Sequence, residues 1–169
     1  MELEKRHFIK SSEERRIRKK LSDSFGDEAA GFLLPESSDL EIAELDEQDV
    51  ILIDGDISLF STEKGFMPLT NRLKKLDKDV RINAERKVVV DEGAVEFILD
   101  GADIMSPGIV DADKSIEEGE IVFVIDKDYA EPLAIGIALV SGEKMVKSNK
   151  GKAIKSIHYA GDELWKESR

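Results

Sequence analysis

The stretch Gly101-Ala102-Asp103-Ile104-Met105-Ser106-Pro107-Gly108-Ile109 decides the fold predicted for the second half of this chain. Small, flexible residues interrupt a short apolar strand, so the backbone here can come close to a ligand. We predict a type II turn at Pro107-Gly108, where proline fixes φ and glycine supplies a positive φ. Such a turn leaves N–H groups free for a phosphate oxygen or a base edge, with Met105 against a base and Ser106 as a hydrogen-bond donor. The alternative is that the Pro-Gly pair forms only a turn.

Regular elements are predicted on both sides of this stretch. Residues 88–90 are typical of a buried strand, and residues 91–99 of a short helix with acidic residues at its positive end. Residues 104–110 are expected to form one bent strand. Further strands are predicted at 120–125, 133–140 and 153–157, and Gly136 indicates a bulge or a close backbone approach. Many short strands with few helices favour a small barrel closed mostly by antiparallel pairing.

A lysine-rich segment, residues 144–155, lies near the end of the chain. It holds five lysines, and no acidic residue occurs from Lys144 through Gly161. Lysines that contact phosphates release condensed counterions, which gives salt-dependent binding to nucleic acid. Gly151, placed between Lys150 and Lys152, allows the backbone to approach a ligand closely. A solvated lysine face is the alternative interpretation.

The net charge of −12 would by itself argue against binding of nucleic acid, but the negative charge is concentrated in one segment of the chain. Between Leu21 and Glu63 there are 13 Asp and Glu residues and no Lys, Arg or His. Without these 13 negative charges the rest of the chain carries +1. The acidic segment is a solvated face or a docking surface for a basic or ribosomal partner, and nucleic-acid binding elsewhere is compatible with it.

The first half is predicted to be a small α+β domain at residues 1–78, followed by a second domain at 79–169. Its helix spans residues 11–25, with Ser11 as N-cap, Glu14 completing a capping box and Gly26 ending it. A later helix starts near Pro68 and runs through Leu76. Strands are predicted at 7–10, 40–45, 50–53 and 56–60, with a hairpin turn at Asp54-Gly55 and the domain boundary at Asp77-Lys78-Asp79.

The helix at residues 11–25 carries a basic cluster in its middle: Arg15, Arg16, Arg18, Lys19 and Lys20. This cluster can extend an RNA-binding or ribosome-binding surface. The favoured interpretation is a polar helix face supported by the neighbouring Glu13 and Glu14.

Motifs for catalysis and for metal binding are missing from the sequence. The chain has no cysteine and only two histidines, His7 and His158, which fall in separate predicted domains. No phosphate loop, nucleophile elbow or metal motif occurs, and no apolar run approaches the ~18–20 residues that span a bilayer. We expect a non-catalytic cytoplasmic protein without cofactor, metal or membrane contact.

Residues 89–94, 98–109, 149–153 and 157–159, together with Trp165, resemble the PUA domain, an RNA-binding pseudobarrel. Over the whole chain, the N-terminal domain combined with this module resembles the malignant T-cell-amplified-sequence family of translation factors, and archaeal members above all. The resemblance implies an α+β fold, in which a small N-terminal α+β domain precedes a C-terminal PUA-like β pseudobarrel.

The same resemblance implies where RNA would bind and what the protein would do. The implied RNA contacts are Gly101, Ala102, Met105, Ser106, Pro107, Gly108, Lys147, Lys150, Gly151 and Lys152. The implied function is non-catalytic binding of tRNA or ribosomal RNA, at the small ribosomal subunit, in translation initiation or tRNA release and recycling. An initiation-factor-like protein is the implied partner. Two alternatives stay open, an adaptor that docks a protein through the acidic N-terminal domain and an accessory subunit in tRNA modification.

Overall fold

The structure, a computed structural model, describes residues 2–169 as two sheets with helices packed around them. The elements of the first half are β1 Leu3–Phe8, α1 Ser11–Phe25, α2 Asp27–Leu33, β2 Leu40–Leu45, β3 Gln48–Ile53, β4 Asp56–Thr62, β5 Gly65–Pro68, α3 Thr70–Lys74 and α4 Lys78–Asn83. Those of the second half are β6 Lys87–Val90, α5 Glu92–Leu99, β7 Ile104–Met105, a 3₁₀ helix Ser106–Gly108, β8 Ile109–Ala112, β9 Ile121–Asp126, β10 Pro132–Ala138, α6 Gly142–Lys147, β11 Lys152–Tyr159 and α7 Glu163–Glu167. No helix within residues 2–169 is both long and apolar enough to cross a membrane.

The first sheet is an antiparallel meander in the order β1-β2-β3-β4-β5. The predicted hairpin turn is confirmed, because Ile53 pairs with Asp56 across the two residues between them. Asp54 and Gly55 both have positive φ, at 50° and 88°, which is the combination that a tight two-residue hairpin of type I′ requires.

Several local predictions for the first half are wrong. Ser11 does not cap α1, since the helix already begins there and the carbonyl of Lys10 accepts the N–H groups of Glu13 and Glu14, each at 3.0 Å. The first strand runs over residues 3–8 instead of 7–10, and α2 and β5 were not predicted. Pro68 ends β5, and α3 begins two residues later. The end of α1 at Gly26, whose φ is 90°, is confirmed.

The second sheet has the order β7-β11-β10-β9-β6-β8 and curls into the expected pseudobarrel. Only the β6–β9 pair among these described strands is parallel. Gly136 lies at a register shift between β10 and β11, and a Cβ there would stand 2.3 Å from Cγ2 of Ile154. Both parts of the prediction for this glycine, bulge and close approach, are confirmed. The predicted fold class, a small α+β unit followed by a PUA-like pseudobarrel, is also confirmed.

Residues 104–110 do not form one bent strand. They form β7, a 3₁₀ helix and the start of β8, so the type II turn predicted at Pro107-Gly108 is wrong. The fixed φ of Pro107 suits the first turn of a helix as well as it suits a turn. Gly108 has no positive φ, and glycine is required there because a side chain would have no room.

Strand β9 joins the two halves because it is buried on both of its faces. Side chains on a strand point alternately to opposite faces. Ile121, Phe123 and Ile125 belong to a core shared with the first half, whereas Val122 and Val124 belong to the core inside the second sheet.

The shared core is closed by contacts from helices of the first half. Phe25, the last residue of α1, meets Phe123 edge to face with ring centroids 5.7 Å apart. Of the residues predicted as a domain boundary, Asp77 precedes α4, and Lys78 and Asp79 form its first turn. The same helix buries Val80 in this core. The buried Arg81 donates to the carbonyl of Ala130 across the interface at 3.0 Å. The domain limits 1–78 and 79–169 stay a prediction.

A buried histidine links the halves a second time. His158 on β11 is 1% exposed, and its Nε2 accepts the backbone N–H of Thr70 at 3.0 Å. An N–H group can only donate, so Nδ1 carries the ring proton and donates to Oδ2 of Asp162 at 2.8 Å. Burial opposes ionisation of Asp162, but hydrogen bonds from His158 and from two backbone N–H groups outweigh it and hold the pKa of Asp162 below its usual value.

The Thr70, His158 and Asp162 side chains have the order of a catalytic triad, with Oγ1 of Thr70 at 3.2 Å from Nε2. Thr70 is only 1% exposed, and its own N–H group occupies the nitrogen that a catalytic base would need. The arrangement therefore connects the two halves and does not provide an accessible nucleophile.

We predict that His158→Phe lowers the free energy of unfolding by about 2–3 kcal/mol, since the buried N–H of Thr70 loses its acceptor. Urea unfolding followed by circular dichroism measures the change. His7→Phe is the matched control, because His7 is exposed, and we expect a change below about 0.5 kcal/mol. Equal effects of the two substitutions would contradict a linking role for His158.

Candidate nucleic-acid interface

An open groove of about 610 Å³ lies between α5, β7, the 3₁₀ helix and the start of β11. Helix α5 contributes Ala94 and Phe97 to its wall, and β11 contributes Lys152. The segment quoted at the outset contributes Ala102, Met105, Pro107 and Gly108. The groove therefore combines the glycine-framed stretch with one end of the lysine-rich segment.

Strand pairing brings these two parts of the sequence together. Met105 on β7 pairs with Lys152 on β11, and the N–H of Ser106 donates to the carbonyl of Gly151 at 2.9 Å. Gly151 has a φ of 90° with open space around its Cα, so its conformation is what favours glycine there.

A cap and a close contact position α5 beside the groove. Asp91 caps the helix by accepting the N–H of Ala94 at 3.0 Å, and its own N–H donates to the carbonyl of Gly108 at 2.9 Å. A Cβ on Gly108 would lie 2.9 Å from the Cβ of Ala94, closer than two carbon atoms pack. At the other end of α5, Gly101 has a φ of 92° and would place a Cβ 3.2 Å from the ring of Tyr159.

Two large apolar side chains at the groove are open to solvent. Phe97 is 67% exposed and Met105 is 45% exposed. Aromatic and thioether groups of this kind offer a surface on which a flat nucleobase can lie. Phe97 was missed in the sequence, although one signal was present. Residues 94–99 are apolar on nearly every side of a short helix, and such a helix in a small domain leaves part of its apolar surface uncovered.

The lysines around the groove differ in whether a carboxylate of the same chain already pairs with them. Nζ of Lys152 lies 3.2 Å from Oδ2 of Asp103. A hydrogen bond from the N–H of Ser156 outweighs partial burial and, together with Lys152, holds the pKa of Asp103 below its usual value. Lys147, on α6, is 3.7 Å from its helical neighbour Glu143 in an exposed pair. Lys150 has no ion pair among residues 2–169, so it offers a whole positive charge.

The remaining predicted site residues are placed differently. Ser106 is 3% exposed, so its side chain lies beneath the surface and does not line the groove. In the basic cluster, Arg18 contacts Glu14 and the carbonyls of Leu34 and Pro35. The cluster's helix, α1, packs on α2 and β5, which do not line the groove. Within the described chain, no group of three acidic, histidine or cysteine side chains is arranged to hold a metal ion.

The curled second sheet and its helix-bordered groove define a PUA-domain protein. Residues 86–160 match the family model described as PUA domain, and residues 5–76 match the domain of unknown function DUF1947. The uncharacterized protein MJ1432 of Methanocaldococcus jannaschii is 39% identical over 98% of both chains. Translation machinery-associated protein 20 of Schizosaccharomyces pombe is 35% identical over 94% of this chain and 89% of that one.

A solved structure agrees with these relatives. The crystal structure of a hypothetical protein from Pyrococcus horikoshii superimposes with a TM-score of 0.90, at 41% identity, over 97% of this chain and 99% of that one. The chain belongs to the family of translation machinery-associated protein 20, whose animal members are called malignant T-cell-amplified sequences. The resemblance inferred from the sequence is thereby confirmed.

We predict that Gly108→Ala lowers the free energy of unfolding by about 1–3 kcal/mol, because the added methyl group forces α5 away from the 3₁₀ helix. Urea unfolding measures the loss, and amide chemical shifts of α5 report the displacement. Gly31→Ala in α2 is the matched control. Gly31 also lacks a positive φ but has no atom within 4 Å of its would-be Cβ, so we expect unchanged or higher stability. A fully stable Gly108→Ala protein would contradict the close contact.

Proposed function

We propose that this chain is a non-catalytic RNA-binding protein that binds tRNA or the small ribosomal subunit during translation initiation or tRNA release and recycling. The open groove, where exposed Phe97 and Met105 lie beside Lys152, is the observation that carries the proposal. Membership of a family with members named translation machinery-associated supports the connection to translation. An initiation-factor-like protein is the proposed partner, and the cytoplasm is the proposed location.

The geometry favours an unpaired RNA end over a duplex. The face of a base inside a helix is covered by its neighbours, so it cannot lie on Phe97 or Met105, whereas an unpaired base can. Each base stacked on an aromatic side chain contributes about 1–3 kcal/mol in single-strand binding. Lys147, Lys150 and Lys152 then contact the phosphates, with Gly101 and Gly151 shaping the backbone around them.

The basic cluster on α1 has a secondary place in this proposal. Arg15, Arg16 and Lys20 have no ion pair within residues 2–169, whereas Arg18 and Lys19 are paired with Glu14 and Asp23. The three unpaired cations offer an auxiliary surface for an RNA that extends beyond the groove.

We predict that replacing Lys147, Lys150 and Lys152 together by Glu weakens tRNA binding by at least about tenfold. The number of counterions released on binding should fall by about two to three, so that the affinity depends less steeply on the salt concentration. Filter binding at salt concentrations from about 50 to about 200 mM measures both quantities. Trimming the single-stranded 3′ end of the tRNA should weaken binding to the unmodified protein.

The matched control replaces Lys10, Lys78 and Lys114 by Glu, which changes the net charge by the same amount at exposed positions away from the groove. Equal losses in both triple variants would mean that only net charge matters. That result would refute the proposed RNA site.

We predict that Asp103→Asn strengthens RNA binding by about two- to fivefold at low salt, since it releases the exposed Lys152 from its ion pair with the partly buried Asp103. The asparagine oxygen can still accept the N–H of Ser156, so the fold is kept. Asp49→Asn, at an exposed position in the first sheet, should leave affinity unchanged in the same filter-binding assay. Weaker binding by Asp103→Asn would contradict the competition between Asp103 and phosphate for Lys152.

A further inference from the structure

Helix α5 separates two grooves. Ala94 and Phe97 face the groove proposed for RNA, whereas Val95 and Leu99 face a second groove of about 590 Å³ on the other side. Val95 and Leu99 are four residues apart and so occupy one stripe of the helix. The second groove is completed by the turn after β9, the start of β10 and Ala160.

The floor of the second groove is apolar, and one wall carries an exposed aromatic ring. Val95, Leu133 and Pro132 line the floor. Tyr129, in the turn between β9 and β10, is 71% exposed. The carboxylate of Asp126 fixes this turn by accepting the N–H groups of Asp128, Tyr129 and Glu131, at 3.2, 3.0 and 2.7 Å. The tyrosine is thus presented to solvent by an ordered turn.

All the charged residues that line this groove are acidic. Within the described chain its lining includes five carboxylate residues and no Lys, Arg or His: Glu92, Glu96, Asp126, Asp128 and Glu131. The carboxylate of Asp126 accepts the hydrogen bonds of the turn, and the carboxylate of Glu131 pairs with Lys74 at 2.8 Å. The carboxylates of Glu92, Glu96 and Asp128 have no ion-pair partner within residues 2–169, and all three residues are exposed.

We propose that this acidic groove binds an arginine-containing segment of a protein partner, on the face of α5 opposite the RNA groove. Three carboxylates without a basic partner repel phosphate and attract guanidinium groups. An arginine side chain can lie on the face of Tyr129, and the apolar floor receives an aliphatic neighbour of that arginine. The groove holds a few side chains, so it fits a short segment and not a folded domain.

This inference does not rest on RNA binding by the first groove. It also differs from docking through the acidic residues 21–63, because the second groove lies in the other half of the chain. Its partner is recognised by positive charge combined with an aliphatic anchor.

The test uses the full chain and two fluorescein-labelled peptides, one of alternating arginine and leucine and one with glutamate in place of each arginine. We expect the arginine peptide to bind by fluorescence anisotropy and the glutamate peptide not to bind. The variant Glu92→Lys, Glu96→Lys, Asp128→Lys should bind the arginine peptide at least about tenfold more weakly. Tyr129→Ser should weaken binding about three- to fivefold without affecting the core, since the ring is exposed.

The matched control is Glu28→Lys, Glu36→Lys, Glu63→Lys, which changes the net charge equally at exposed positions outside the groove. We expect this variant to keep its affinity within about twofold. Equal losses in both triple variants would show attraction to overall charge and overturn the proposal. If the groove variant fails to fold, Tyr129→Ser decides the question alone, and unchanged binding by it would overturn the proposal.

Chemical shifts separate the two classes of ligand. The arginine peptide should move the amide resonances of Glu96, Asp128 and Tyr129. Single-stranded RNA should leave those resonances in place. RNA-induced shifts at these three amides would assign the second groove to nucleic acid and refute the proposal.

Discussion

The double-sided burial of β9 is the constraint on which the rest of the structure depends. Ile121, Phe123 and Ile125 lie in the shared core, and Val122 and Val124 lie inside the pseudobarrel. Burying each of these side chains contributes about 1.5–3 kcal/mol, so one strand anchors two cores at once. Because neither face of β9 can turn to solvent without losing one core, the register of the whole second sheet is set relative to the first half.

The proposed RNA groove derives its geometry from this anchored sheet. The chain of pairing runs from β9 through β10 and β11 to the two-residue strand β7, which borders the groove. A strand as short as β7 is stable only because β11 holds it. On the opposite wall, α5 is held by the cap at Asp91 and by its contact with Gly108. The groove is therefore bounded by ordered backbone, while its exposed side chains, Phe97 and Met105, stay free to contact a ligand.

The sequence was sufficient for features that depend on local chemistry or on a specific motif. The Asp54-Gly55 hairpin, the end of α1 at Gly26 and the pseudobarrel all followed from it. The prediction from sequence failed where the same residues are compatible with two backbone conformations. Pro107-Gly108 suits a 3₁₀ helix as well as a type II turn. Strand β1 was misplaced because, as an exposed edge strand, it lacks the apolar alternation that reveals strands. The ion pair between Asp103 and Lys152, and the exposure of Phe97, depend on residues far apart in sequence and required the fold.

The link from His158 to Thr70 bears on how this architecture can be divided. The histidine lies in the second half, and its acceptor nitrogen is used by a backbone N–H of the first half. A second half expressed alone would bury an unsatisfied imidazole nitrogen or open it to water, beside a newly exposed row of Ile121, Phe123 and Ile125. Large apolar patches of that kind promote self-association. The two halves therefore share one core and do not fold as independent units. A fragment cut between them would tend to aggregate.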